Sequence, residues 1–280
     1  MEEQPFVPAA PENPRRRFPT VGDLFALLGI VLGTQIVVSL LLSITAGFAG
    51  ADEQQLLHDS RFLCLSFLAS MSLALLGTLL YRRKRGGTGP FVSFSTARFS
   101  PVLLLWSFVL LFAVSILIEP LLNLLPDLTP DLGTGLWTIV MTVLFAPLFE
   151  ELICRGVVLE SIRRKYGVIA AWLGSSLFFG ILHLNPVQVV NAFVVGLILG
   201  YIYLATESVW SSMLLHALNN AVAYLMLTAG GGMLFIDLIG NPTLYGVLYI
   251  AALAVAGGSA YKIWQTLRRM KAAEKIDAGA

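Results

Sequence analysis

The run Phe149-Glu150-Glu151-Leu152-Ile153-Cys154-Arg155 sets two adjacent carboxylates and a guanidinium inside a sequence that otherwise reads as membrane. Residues 136–149 are apolar apart from Thr138 and Thr142, and the apolar pattern resumes at Val157. Ionisable groups at bilayer depth are costly and mark functional sites by default. The fold and the chemistry both follow from asking what surrounds these charges.

Of the 280 residues, 57% are hydrophobic and 12% charged, with a mean hydropathy of +0.80, far from soluble-domain values. The chain is expected to be an all-α polytopic membrane protein. Its two cysteines, Cys64 and Cys154, lie in apolar runs, which excludes a disulfide framework or a Cys-rich zinc module. Nothing in a net charge of +1 points to nucleic acid.

Residues 1–20 are polar and proline-rich and carry Arg15-Arg16-Arg17, as expected of a disordered cytoplasmic tail. The apolar run that follows, residues 24–50, is too long for a signal-peptide core and reads as a first span. Further runs cover residues 62–81, 102–125, 136–166, 168–184, 187–205, 209–228 and 244–264. A span needs ~20 residues, so about eight helices are expected between residues 21 and 265, with 266–280 as a second tail. Pro186 should end the fifth helix and start the sixth.

Lys and Arg positions test the count, because cytoplasmic loops concentrate them. With both termini inside, sixteen of the eighteen cations fall on the cytoplasmic side, leaving Arg61 outside and Arg155 in the membrane. Adding or removing one helix destroys that agreement. The outer loops then hold Asp52, Glu53, Asp59, Asp127, Asp131 and Asp237. The expected location is an integral protein of the plasma membrane.

Glu151 and Arg155 are four apart with the acid first, the favourable order for an intrahelical pair, so Arg155 should neutralise Glu151. Glu150 points about 100° away. Counted from the basic turn between the fourth and fifth helices, Glu150 and His183 lie at similar depth, roughly 22–24 Å along their helices. Glu150 is therefore expected to face His183 and a water. Equal depth with His216 on the seventh helix requires the hairpin tip Arg163-Arg164-Lys165 to project roughly 10 Å beyond the bilayer. His216 and Asn220 share a helical face and could direct donors at one developing oxyanion. Phe179, four before His183, should form an apolar wall, and Asn219 a packing contact. Small Gly196 and Gly200 should admit a close neighbouring helix within the bundle. A buried core histidine and a structural ion-pair cluster are the alternatives for the individual residues.

Together these residues spell E-E-x-x-x-R, F-x-x-x-H and H-x-x-x-N on successive helices. In that order they resemble the CPBP intramembrane proteases, the family of the CAAX prenyl proteases of the Rce type and the bacterial Abi proteins. The resemblance covers about residues 135–230. It implies a helical membrane core and endopeptidase activity on a peptide or lipidated protein, with Glu150 activating water beside His183. His216 and Asn220 then match the oxyanion-binding pair, with Glu151, Arg155 and Phe179 in support. Family members are commonly labelled metalloproteases; no cofactor is required by the residues here, and Zn²⁺ on Glu150, His183 and His216 is the alternative. Two other functions compete with proteolysis: a membrane scaffold or immunity-type protein that binds a partner in the pocket, and a proton-coupled carrier.

Overall fold

Eight helical rods account for the apolar runs in the computed structural model, which describes residues 18–48, 50, 56, 58–126, 128, 133–231 and 234–277. They are α1 (Val21–Phe48), α2 (Ser60–Lys84), α3 (Pro101–Leu122), α4 (Leu136–Tyr166), α5 (Val168–Ile181), α6 (Pro186–Thr206), α7 (Val209–Gly230) and α8 (Pro242–Asp277). A one-turn helix, Phe235–Ile239, precedes α8. No strand occurs among the described residues beyond a single bridge between Phe94 and Ser208. Six of the rods are long and apolar enough to cross a membrane: α1, α2, α3, α4, α6 and α8. Helix α5 is a shorter apolar helix of 14 residues. Helix α7 has the length but carries Ser211, Ser212, His216, Asn219 and Asn220.

The exterior is what identifies the solvent. Phe25, Ile36, Leu40, Leu41 and Ile44 on α1, and Leu244, Val247, Ile250 and Leu253 on α8, all stand exposed. A stripe this apolar facing outward needs lipid against it. Within the best apolar window, 17% of α1 and of α8 is buried against 44% of α6, so α6 is central and the other two peripheral. Helices α4 to α7 pack on one another, α3 lies behind α6 and α7 with α8 on its far side, and α2 packs on α4 with α1 against α2.

Gly196 and Gly200 admit the close approach expected of them. A β-carbon on Gly196 would sit 3.2 Å from Phe179 Cδ1, and one on Gly200 3.2 Å from Trp172 Cδ1, both on α5. The α5–α6 contact is thus intramolecular. Asn185 caps α6 through Val187 N–H, and Pro186 occupies its first turn as expected.

Three boundaries differ from expectation. Helix α5 stops at Ile181, so His183 stands on the connecting turn and not within a helix. Its neighbour Leu184 takes a left-handed backbone, φ 58°, which a helix cannot continue through. At the amino end, residues 1–17 lie outside the described residues, but Phe18 and Pro19 are buried and Thr20 and Asp23 exchange bonds that start α1. At the carboxyl end, α8 runs unbroken through residue 266 to Asp277, with Ile263 and Leu267 buried. Asp52, Glu53, Asp127 and Asp131 of the expected outer loops lie outside the described residues.

The basic hairpin tip is tied to its neighbours by hydrogen bonds and ion pairs. Arg164 donates to the carbonyls of Thr88 and Pro90, Lys165 to that of Pro19 at 3.0 Å, and Arg163 pairs with Glu160 and Glu207.

Candidate active site

Helix α4 is not one regular helix. Residues Val140–Phe145 and Leu152–Leu159 are π-helical, and the α-helical turn between them, Ala146–Glu151, carries the glutamate pair. Such wide turns are rare and concentrate at functional sites. One cause is legible in the residues. Ala146 N–H bonds back to Met141 O across the wide turn, and the next donor in that pattern would be residue 147. Pro147 has no N–H, so Thr142 O loses its helical partner. The side chain of Asn220, reaching from α7, supplies the missing donor at 2.9 Å.

Arg155 and Glu151 are both fully buried, with Arg155 Nε 3.1 Å from Glu151 Oε2. The contact is within ion-pair range but outside hydrogen-bond alignment, and neither atom has another partner among the described residues. Arg155 Nη2 donates to Gly196 O at 3.3 Å, and the guanidinium carbon lies 4.9 Å from the centre of the Phe179 ring. A desolvated guanidinium on an aromatic face gains up to about 2 kcal/mol. The expected pairing of Glu151 with Arg155 is therefore present, in a dry setting.

His216 of α7, 3% exposed, lies between the two glutamates. Its Nδ1 is 3.1 Å from Glu151 Oε1 and its Nε2 is 3.7 Å from Glu150 Oε2. The side chain of Glu151 is fully buried, whereas that of Glu150 keeps 15% exposure, so Glu150 is the carboxylate a water can reach. A carboxylate on Nδ1 fixes the proton there and leaves Nε2 as the reactive nitrogen of the neutral ring.

Spacing paired Glu150 with His183 across a water; the structure adds the imidazole of His216 directly beside Glu150. The rotation of α7 about its own axis, set by the Asn220–Thr142 and His216–Glu151 bonds, brings His216 in. His183 Nδ1 lies 2.9 Å from Phe179 O, a carbonyl that only accepts, so Nδ1 carries the hydrogen and Nε2 is left as an acceptor. Asn220 was expected to be a free donor beside His216; one of its two amide hydrogens is engaged by Thr142 O. Its oxygen accepts from Asn219 Nδ2 at 3.3 Å, a bond within α7 itself.

Phe179 is more than a wall. Its ring packs edge-on against His183 at 5.1 Å and against His216 at 5.3 Å between centres, while Arg155 lies over it. One buried aromatic residue thus sets the common level of groups from three helices and a turn. That common depth was foreseen from helix lengths. The π segments, the Asn220–Thr142 bond and the His216 bridge were not, although Pro147 five residues after Thr142 is a signal for the first two.

The proposed Zn²⁺ ligands do not form a set. Among the described residues no three His, Cys, Asp or Glu groups gather so as to hold a metal ion. Glu150 and His216 are neighbours, but His183 is directed through Nδ1 at its own turn of backbone.

Residues 132–222 match the model of the Rce1-like family, described as type II CAAX prenyl endopeptidase Rce1-like. The matched segment runs from just before α4 to the middle of α7 and includes every residue of the site. No curated protein and no solved structure matches the chain.

Proposed function

We propose that this chain, whose residues 132–222 match the Rce1-like family of type II CAAX prenyl endopeptidases, hydrolyses a peptide bond of a membrane-associated substrate with water activated by Glu150. The observation that carries the reading is the pairing of one accessible glutamate with one imidazole whose other nitrogen is held by a buried, arginine-paired glutamate.

In the reactive form Glu150 is ionised and His216 carries a hydrogen on Nε2. A water between Glu150 and His183 Nε2 gives one hydrogen to Glu150 as its oxygen forms a bond to the substrate carbonyl carbon. The electron pair of the C=O bond moves to oxygen, and the anion is met by His216 Nε2–H and the second amide hydrogen of Asn220. Collapse restores the carbonyl and breaks the C–N bond, and the amine leaves with the proton held by Glu150.

The test is cleavage of a fluorogenic peptide bearing a C-terminal prenyl anchor by purified protein in proteoliposomes. The parent protein cleaves it, and Glu150→Gln lowers kcat by about 10²–10⁴-fold, the range of a general base. Equal rates would remove Glu150 from the reaction.

A further inference from the structure

Between α3, α6, α7 and the one-turn helix Phe235–Ile239 lies a cavity of about 210 Å³ whose walls include Ser115, Glu119, Leu122, Asn191, Met226 and Phe235. Its size suits a single side chain, since clefts for drug-sized ligands run to about 300–1,000 Å³. Glu119 sets its chemistry: a carboxylate only 5% exposed, three residues before the end of α3.

Glu119 Oε1 accepts from Ile236 N–H at 3.0 Å, which with the edge-on contact of Phe112 and Phe235 at 6.1 Å holds the one-turn helix against α3. A backbone N–H orients a carboxylate without cancelling its charge. The Tyr245 hydroxyl beside it brings no positive charge either. No Lys, Arg or His occurs in residues 99–154, 184–215 or 217–261, the stretches that supply every wall of the cavity. Arg61, on α2, stands over the Trp137 ring instead. The end of α3 is also the negative end of its dipole, so the helix does not stabilise the anion. An isolated buried carboxylate is costly, and a cation seated beside it offsets that cost.

Shape selects the cation. A carboxylate, a carboxamide and the Ser115 hydroxyl are too few oxygens for a hard metal ion such as Ca²⁺, which takes about six to eight. Leu122, Met226 and Phe235 suit the methylene stem of Lys or Arg, with the charged end at Glu119 and the Asn191 amide oxygen as a second acceptor. Distance to the glutamate pair selects the source. Met226 lies six residues beyond Asn220 on α7, and Asn191 six beyond the Asn185 cap of α6, each roughly 9 Å along its helix. Asn219, bonded to Asn220, shares the Met226 face of α7. An extended chain advances about 3.3 Å per residue, so a peptide held at Glu150 reaches the cavity with a side chain about three residues from the cleaved bond. We propose that this cavity binds a Lys or Arg side chain of the peptide that is hydrolysed, an assignment that rests on the peptidase reading.

Two measurements on the full chain test it. The first, in proteoliposomes, is kcat/KM for the prenyl-anchored fluorogenic peptide with lysine, or its uncharged counterpart norleucine, placed in turn at the second to fourth positions on either side of the cleaved bond. A charge-assisted hydrogen bond contributes about 10–100-fold, so one lysine peptide should exceed its norleucine counterpart by that factor. Glu119→Gln should bring the ratio close to one, and Glu119→Asp, which keeps the charge, should retain part of it. Because each ratio is taken within one variant, loss of folded protein lowers both rates and leaves the ratio intact.

The second measurement, in detergent, needs no cleavage. Met226→Cys is labelled with aminoethyl or sulfonatoethyl methanethiosulfonate, each rate taken relative to that of a free thiol in solution; Cys64 and Cys154 are buried and stay silent. An ionised Glu119 should favour the cationic reagent by about tenfold or more. Glu119→Gln/Met226→Cys should lose that preference. Equal labelling overturns the cavity as a cation site, and equal cleavage of lysine and norleucine peptides at every position overturns the substrate as its ligand. Cleavage of no peptide at all strikes the peptidase reading and the substrate with it, while the labelling ratio still decides whether the cavity takes a cation.

Discussion

At the scale of single residues, the two adjacent glutamates do different work because burial separates them. Glu151 is fully enclosed, with Arg155 on one side and His216 on the other. Removing one member of a buried ion pair strands the other and costs about 3–5 kcal/mol, while removing both charges is often neutral. Glu151→Gln should therefore destabilise the protein by about 3–5 kcal/mol, read by equilibrium unfolding in mild detergent. Glu151→Gln/Arg155→Met should recover most of that loss. Activity should not recover with it, because the negative charge that orients His216 is still missing. A double variant that regains both folding and rate would mean Glu151 serves only to neutralise Arg155.

At the scale of elements, the wide turns of α4 rest on a donor borrowed from another helix. A buried carbonyl without a donor costs about 1–3 kcal/mol, and Thr142 O is half-buried, so Asn220→Ala should lose stability towards the lower end of that range. Pro147→Ala restores an N–H at the position that would serve Thr142 O. In the Pro147→Ala background, Asn220→Ala should cost less than about half as much, a coupling visible in a double-mutant cycle of unfolding free energies. Purely additive effects would show that Thr142 O does not need Asn220. The eight rods were legible because apolar length and Lys/Arg placement report on them directly. The end of α5 was not, since Leu182 and Leu184 continue an apolar run and only the left-handed backbone of Leu184 breaks it. Nor was the placing of His216 beside Glu150. Spacing tells which residues share a face, whereas the rotation of that face is decided by contacts between helices such as Asn220 with Thr142.

At the scale of the whole molecule, the basic segments separated in sequence converge at one end of the bundle. Arg82 meets Ser161, Arg85 bonds Asp23 at 2.8 Å, Arg163 and Arg98 share Glu207, and Arg98 grips Glu274 through two bonds. Arg61 is at the other end, its guanidinium 5.7 Å from the Trp137 ring. We propose that the basic end faces the cytoplasm of the plasma membrane, because cation-rich connections stay on that side. Cysteine labelling can decide this without a background signal, as Cys64 and Cys154 are both buried. A membrane-impermeant maleimide added to intact cells should label His58→Cys and Thr243→Cys and leave Lys271→Cys unmodified until the membrane is opened. All three positions are exposed, so a missing signal reports the side of the membrane and not burial. The reverse pattern would invert the protein in the membrane. Labelling of His58→Cys and Lys271→Cys together would mean that an even number of rods crosses from α2 to α8, which neither the cation count nor the convergence of these salt bridges allows.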